Sequence, residues 1–263
     1  MISLRYYAIR IHWLLSTQLG FNPRLLIQSL CELPSFIRDC RRYRKGFSGE
    51  FILSPCLHDR HEESGDTKNE YFWQDLLVAR WIHAARPRKH VDVGSRVDGF
   101  VAHLASFRDI EVFDVRPSSA QIPGVIFHKA DLAGPGGSQF EPEDYCDSLS
   151  CLHAIEHFGL GRYNDHIDPL GHERGIANMA RMLKTGGTLY LSAPIGRERV
   201  EFNANRIFDP RTIIRIADTY RLKLAGLTVI RVGGHVTHVS TAPSVLQELA
   251  QERYSLGIFI FTK

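Results

Sequence analysis

From His90 to the C-terminus, short apolar runs alternate with segments of helical period, and this alternation commits the chain to βαβ architecture. The runs are His90 to Val93, Ile110 to Val115, Val125 to His128, Cys146 to Leu152, Thr188 to Ala193, Lys223 to Val232 and Gly257 to Phe261. The spacing predicts helices over Tyr71 to Ala85, Val97 to Ser106, Gly175 to Leu183 and Pro210 to Tyr220. Pro87 ends the first, Gly186-Gly187 closes the third and Asp209 caps the last. A glycine- and proline-bearing loop, Gly134 to Gly137, separates the third and fourth strands. With right-handed crossovers such a chain forms an open, doubly wound α/β sheet of seven strands. Ligands then bind at the C-terminal strand ends, near the reversal of strand order.

The chain before residue 70 is different. Leu4, Ala8, Ile11 and Leu15, then Leu26, Leu30, Leu33 and Ile37, fall at helical spacing, with Pro23 placed to start the second helix. Two amphipathic helices are expected, as a cap on the main domain or, with the basic run Arg41, Arg42, Arg44 and Lys45, as a peripheral membrane or partner contact. Glu50 to Asn69 reads as a linker whose cluster His58 to Glu63 is a solvated surface or a lid. The expected division is therefore 1–69, helical cap and linker, and 70–263, catalytic-type domain. No apolar run reaches the roughly 18 residues of a membrane span. Lys and Arg total 32 against 29 Asp and Glu, an excess too small and dispersed to imply nucleic acid as partner. Five cysteines without a CxxC pair argue against a disulfide framework and for a reducing, cytoplasmic setting.

The loop after the first strand, Asp92-Val93-Gly94-Ser95-Arg96-Val97-Asp98-Gly99, carries glycines that admit close approach of a ligand. A P-loop would need Lys and Ser or Thr after the second glycine, where Phe100 and Val101 stand; a dinucleotide fingerprint would need glycine at Arg96. A nucleoside ligand such as S-adenosyl-L-methionine asks less of the loop but requires an acid at the end of strand two for the ribose hydroxyls. Asp114 occupies that position, and Asp131 with Leu132 follows strand three, toward the adenine amine. The cofactor-binding set is thus Asp92, Gly94, Ser95, Asp98, Gly99, Asp114, Asp131 and Leu132.

Asp92 to Ser95, Asp114, Ala130-Asp131-Leu132, Leu152 to His157 and Leu183 to Pro194 together resemble the successive motifs of class I S-adenosylmethionine-dependent methyltransferases, over residues 70 to 263. More narrowly, Tyr71 to Asp75, His153 to Asp168, Pro194-Ile195-Gly196 and Phe202-Asn203-Ala204 resemble a methyltransferase-like domain-of-unknown-function family of nematodes and bacteria. The resemblance implies a Rossmann-like sheet and a methyltransferase, and bacterial members point to surface-glycan biosynthesis. One position departs: Asn205 stands where the family commonly carries His.

His153-Ala154-Ile155-Glu156-His157 also spells the inverted zinc-peptidase motif, but it leaves a strand, and Gly159 and Gly161 break any long helix after it. No metal is assigned, with Mg²⁺ at Asp165 and Asp168 as the alternative. For methyl transfer to a hydroxyl, a base near neutral pH is useful; His157 is preferred over His153, with Glu156 orienting one of them. The alternative is that these groups hold the loop. Arg162, Tyr163, Asp165, Asn203, Asn205 and Arg206 are candidates for a hydroxyl-rich acceptor. The expected function is O-methylation of a small-molecule or glycan acceptor. Its rivals are a noncatalytic S-adenosylmethionine-binding scaffold of glycan biosynthesis and a nicotinamide-dependent sugar enzyme.

Overall fold

All seven expected strands form, and an eighth joins them. In chain order the strands are β1 His90–Val93, β2 Ile110–Asp114, β3 Val125–Lys129, β4 Cys146–Leu152, β5 Leu183–Ile195, β6 Arg199–Glu201, β7 Asn205–Ile207, β8 Lys223–Arg231, β9 His235–Val239 and β10 Ser255–Thr262. The computed structural model describes residues 4–134 and 143–263; of the loop expected at Gly134 to Gly137, only Gly134 lies within them. The main sheet has the order β3-β2-β1-β4-β5-β10-β8-β9, and β6 and β7 pair separately. β1 to β5 are mutually parallel, whereas β10 runs antiparallel to both β5 and β8. The count of seven is therefore corrected to eight: Gly233 and Gly234, both at positive φ, turn the chain after β8 into β9.

The helices after residue 66 are α3 Glu70–Ala85, α4 Ala102–Ala105, α5 Gly171–Met182, α6 Pro210–Thr219 and α7 Pro243–Leu249. A π turn, Val97–Val101, leads into α4. Two apolar layers show that both faces of the sheet are covered. Val78 and Ile82 of α3 pack with Phe100, Leu104, Val112 and Ile258, while Ile176 of α5 and Ile213 of α6 pack with Leu149, Leu191 and Phe259. Each such side chain contributes about 1.5–3 kcal/mol of burial. Cys146 and Cys151 are buried thiols of β4, consistent with strands covered on both sides. Asp209 caps α6, accepting from Arg211 N at 2.9 Å, as expected. Gly186-Gly187 does not close a helix: α5 ends at Met182, and these glycines lie within the long β5.

By contact the chain divides into Met1–Asp66 and Thr67–Lys263. The first unit holds α1, Leu4–Trp13, a π turn, Leu14–Gln18, and α2, Pro23–Arg44. Pro23 opens α2 while the Asn22 side chain accepts from Arg24 N and Leu25 N at 3.1 and 3.3 Å, the expected start signal. The charged cluster His58 to Glu63 turns back on α2 of the same unit, Arg60 meeting Glu32 at 3.3 Å and also Asp39.

Candidate functional site

Five parallel strands end at one edge of the sheet, and the segments leaving them line a cavity of about 660 Å³, a size typical of small-ligand sites. β1 supplies Gly94, β2 Asp114, β3 Ala130 and Asp131, β4 His153, and β5 Pro194. β1 lies between β2 and β4, so the cavity sits at the point where strand order reverses.

The glycine loop is fixed from beneath. Asp92 is fully buried; its carboxylate accepts from Ser95 N (3.0 Å), Ser95 Oγ (2.6 Å) and Ser150 Oγ (2.6 Å). Burial pushes its carboxyl up to about 6, against the pull of those hydrogen bonds. Ser95 Oγ also accepts from Leu152 N at 3.1 Å, which ties the loop to β4. Neither Asp92 nor Ser95 lines the cavity. Gly94 does, at φ +72°, and a Cβ there would come within 2.9 Å of that of Ala154. Gly99 serves helix packing, since a Cβ at that position would lie 2.6 Å from the Asp75 carboxylate of α3. Asp98 lines the cavity beside its partner Arg96 (2.7 Å), whose guanidinium holds the Asp98 carboxyl below its ordinary value.

Asp114 points into the same cavity and is held by a neighbour. It accepts from Arg116 N at 2.8 Å and from the guanidinium Nε at 3.0 Å, while Nη2 donates to Gly94 O at 3.1 Å. The guanidinium carbon is 4.9 Å from the Tyr163 ring centroid. Arg116 thus links the loop after β1, the acid of β2 and the segment after β4. Asp131 Oδ1 turns the chain after β3 by accepting from Ala133 N and Gly134 N (2.8 and 3.1 Å), and both it and Leu132 line the cavity.

After β4 the chain makes no long helix. His153 has φ +51°, uncommon for a residue with a side chain, and Ile155–His157 is one 3₁₀ turn. His153 Nδ1 donates to Glu156 Oε1 at 2.6 Å and Nε2 to Glu70 Oε1 at 3.2 Å; the ring stacks on Tyr71, centroids 4.4 Å apart. Tyr254 OH donates to the same Glu70 oxygen. Burial alone would lower the His153 pKa, but the two carboxylates outweigh it and raise it to about 9, so this imidazole is a cation at neutral pH. Burial pushes Glu156 upward, and the opposing His153 cation brings it below its ordinary value. His157 goes the other way. Burial lowers its pKa, with Glu156 opposing and Arg162 assisting, so it is neutral. Its Nε2 lies 3.7 Å from Glu156 Oε1 and its Nδ1 3.4 Å from Arg162 Nη1.

A stability profile follows. His153, raised in the fold, stabilises fully below its unfolded value near 6.5, and the contribution is lost as pH rises through about 9. Glu156 acts in the opposite sense, its contribution being lost as pH falls below the usual carboxylate range. The melting temperature is expected to decline from pH 6.5 to 9, and Glu156→Gln to flatten most of that slope. An unchanged slope in the variant would show that His153 is not held as a cation by this carboxylate.

The remaining candidates separate. Arg162, Tyr163, Asp165 and Asn205 line the cavity. Asp165 also builds its loop, accepting from Gly159 N, Gly161 N and Tyr163 N at 2.9–3.2 Å. Arg206 is buried and donates to the carbonyls of Phe158 (2.6 Å) and Pro169 (3.3 Å), bracing the segment after β4, while Asn203 is exposed between β6 and β7. Asp168 pairs with Arg174, and no group of three or more metal-binding side chains converges among the described residues. Glu70, Tyr254 and Arg116 line the cavity but have no sequence signal of their own. Tyr71 had one, at the head of Tyr71 to Asp75; the polar members of that stretch turn inward, Gln74 accepting from Ser192 Oγ and donating to Asp75 at 2.9 Å.

A family profile described as "Caenorhabditis protein of unknown function, DUF268" matches residues 139–226. No curated protein matches the sequence. Among solved structures, the N-methyltransferase NodS of Bradyrhizobium japonicum, in complex with S-adenosylhomocysteine, is similar at 15% identity and TM-score 0.50, covering 76% of this chain and 89% of that one. The 1,6-didemethyltoxoflavin-N1-methyltransferase of Burkholderia thailandensis is similar at 10% identity and TM-score 0.49, covering 73% and 79%. The chain has the class I methyltransferase fold, with β9 added at one edge.

Proposed function

We propose that this chain is an S-adenosyl-L-methionine-dependent methyltransferase acting on an oxygen of a sugar or glycan-linked acceptor. The observation that carries the reading is the convergence, in one cavity at the carboxyl edge of the sheet, of the loop through Gly94, the strand-two acid Asp114 and a neutral imidazole, His157. The residues present fit the cofactor: Asp114 would offer a carboxylate to a ribose diol, Asp131 and Leu132 would hold the base, and the Gly94 backbone would border the rest of the molecule. NodS, which is similar in fold, crystallises with S-adenosylhomocysteine, which supports the same choice. When bound, S-adenosyl-L-methionine supplies a methyl group activated by its sulfonium.

The work left to the protein is alignment, exclusion of water and removal of one proton. His157 takes the proton of the acceptor hydroxyl; Glu156 orients it and steadies the charge it acquires. His153, already a cation between two carboxylates, has no lone pair to offer and acts as a post that fixes Glu156. Tyr163, Arg162 and Asn205 present a ring face, a cation and an amide to the acceptor, a set suited to a hydroxyl-rich molecule.

Calorimetric titration with S-adenosyl-L-methionine, S-adenosylhomocysteine and the nicotinamide dinucleotides, followed by labelled-methyl transfer into a pool of sugars, nucleotide sugars and glycans, tests this reading. Binding of the first two and label on a sugar oxygen is the expected result. Binding of a nicotinamide dinucleotide alone overturns the cofactor assignment, and binding without transfer to any acceptor identifies a scaffold.

A further inference from the structure

Among the described residues of the 1–66 unit none is buried, although the unit is rich in large apolar side chains. On α2, Leu26, Leu30, Leu33 and Ile37 recur at one helical stripe and are 49, 61, 38 and 39% exposed. Trp13, Leu14, Leu19 and Phe21, around the turn before α2, are exposed as well. Water-exposed apolar area of this kind marks a surface that is covered in use.

Charge identifies what covers it. The acids of α2 are occupied within the unit: Glu32 meets Arg60 at 3.3 Å and His61 at 3.4 Å, and Asp39 pairs with Arg60, which holds the Asp39 carboxyl below its ordinary value. Arg41 and Lys45, in contrast, form no ion pair among the described residues, and Arg42 acts on Asp39 only at longer range. Arg41 follows Ile37 by four residues and Leu30 by eleven, so this cation borders the apolar stripe itself. On α2, therefore, the acids are neutralised within the unit while leucine, isoleucine and arginine face outward. No helix among the described residues is long and apolar enough to cross a membrane.

We propose that the N-terminal unit is an interfacial anchor whose α2 lies in the plane of an anionic lipid surface, its stripe among the acyl chains and its cations on the headgroups. The 22 residues of α2 would lie along about 33 Å of that surface. Such an anchor stands apart from the methyltransferase reading, because lipid binding by this unit needs no cofactor and no turnover.

The test is co-sedimentation of the full chain with phosphatidylcholine vesicles, with and without phosphatidylserine. The chain is expected to pellet with the anionic vesicles, to stay in the supernatant with the neutral ones, and to be released by high salt. Arg41→Gln with Arg42→Gln should weaken partitioning about 25-fold, at about five-fold per cation, and Leu30→Glu with Ile37→Glu should abolish it. Both variants change exposed side chains, so their melting temperatures should match that of the parent chain. Failure to pellet with anionic vesicles overturns the proposal. So does equal binding to neutral vesicles, or a solution dimer that the leucine and isoleucine changes dissociate while vesicle binding stays absent.

Discussion

Replacing Asp114 with alanine is expected to raise the dissociation constant for S-adenosyl-L-methionine by about 100-fold or more. A hydrogen bond to a charged group contributes about 1.5–3 kcal/mol, and two ribose hydroxyls on one carboxylate contribute twice that, against about 1.4 kcal/mol per decade of affinity. Part of this gain is spent in the parent chain, because Arg116 already donates to Asp114 and must give up some of those bonds. The Arg116 side chain is 37% exposed and its guanidinium rests on the Tyr163 ring, so it can swing to water at modest cost. Its release is why the estimate sits at the lower end of the range rather than at several thousand-fold. Asp114→Asn keeps the shape and loses the charge; it should fall between the parent and the alanine variant. The variants must melt cooperatively, since Asp114 also accepts the backbone N–H of Arg116. Calorimetry showing less than a three-fold change in either variant would remove Asp114 from the cofactor site.

The two kinds of residue in this cavity differ in how readily a sequence announces them. Asp114 and Asp131 could be found because each follows an apolar run in a parallel sheet, and strand ends in such a sheet share an edge. Gly94 was legible on the same ground. Gly99 looked equivalent in sequence, yet it lies outside the cavity and packs against the Asp75 carboxylate, and no one-dimensional pattern distinguishes a glycine at a cavity from one at a helix contact. Glu70 and Tyr254 are separated by 184 positions and meet over His153, a convergence that only the fold creates. Arg206 illustrates the opposite case: the sequence offered it as a candidate for the acceptor, but it is buried and donates to backbone carbonyls of the segment after β4. Of the missed strands, β9 had a signal in Gly233-Gly234, whereas β6 and β7 are three residues each, too short for any period to register.

His157→Ala is expected to reduce turnover by about 10²- to 10⁴-fold, the usual contribution of a positioned base, while leaving S-adenosyl-L-methionine affinity within about three-fold of the parent. His153 competes for the same role in the sequence, and the pH dependence of turnover decides between them. A base is active when deprotonated. His157 is depressed below its ordinary value by burial and by Arg162, so activity should rise along an acid limb centred below pH 6.5 and be flat above it. His153 is held as a cation to about 9, so if it were the base, activity would keep rising into the alkaline range. Glu156→Gln sharpens the distinction. Loss of the carboxylate removes the stabilisation of a protonated His157 and frees His153 from its short hydrogen bond, which should lower turnover and move the acid limb further down. A limb near pH 9, or an alanine variant with parental turnover, would transfer the proton to some other group in the cavity.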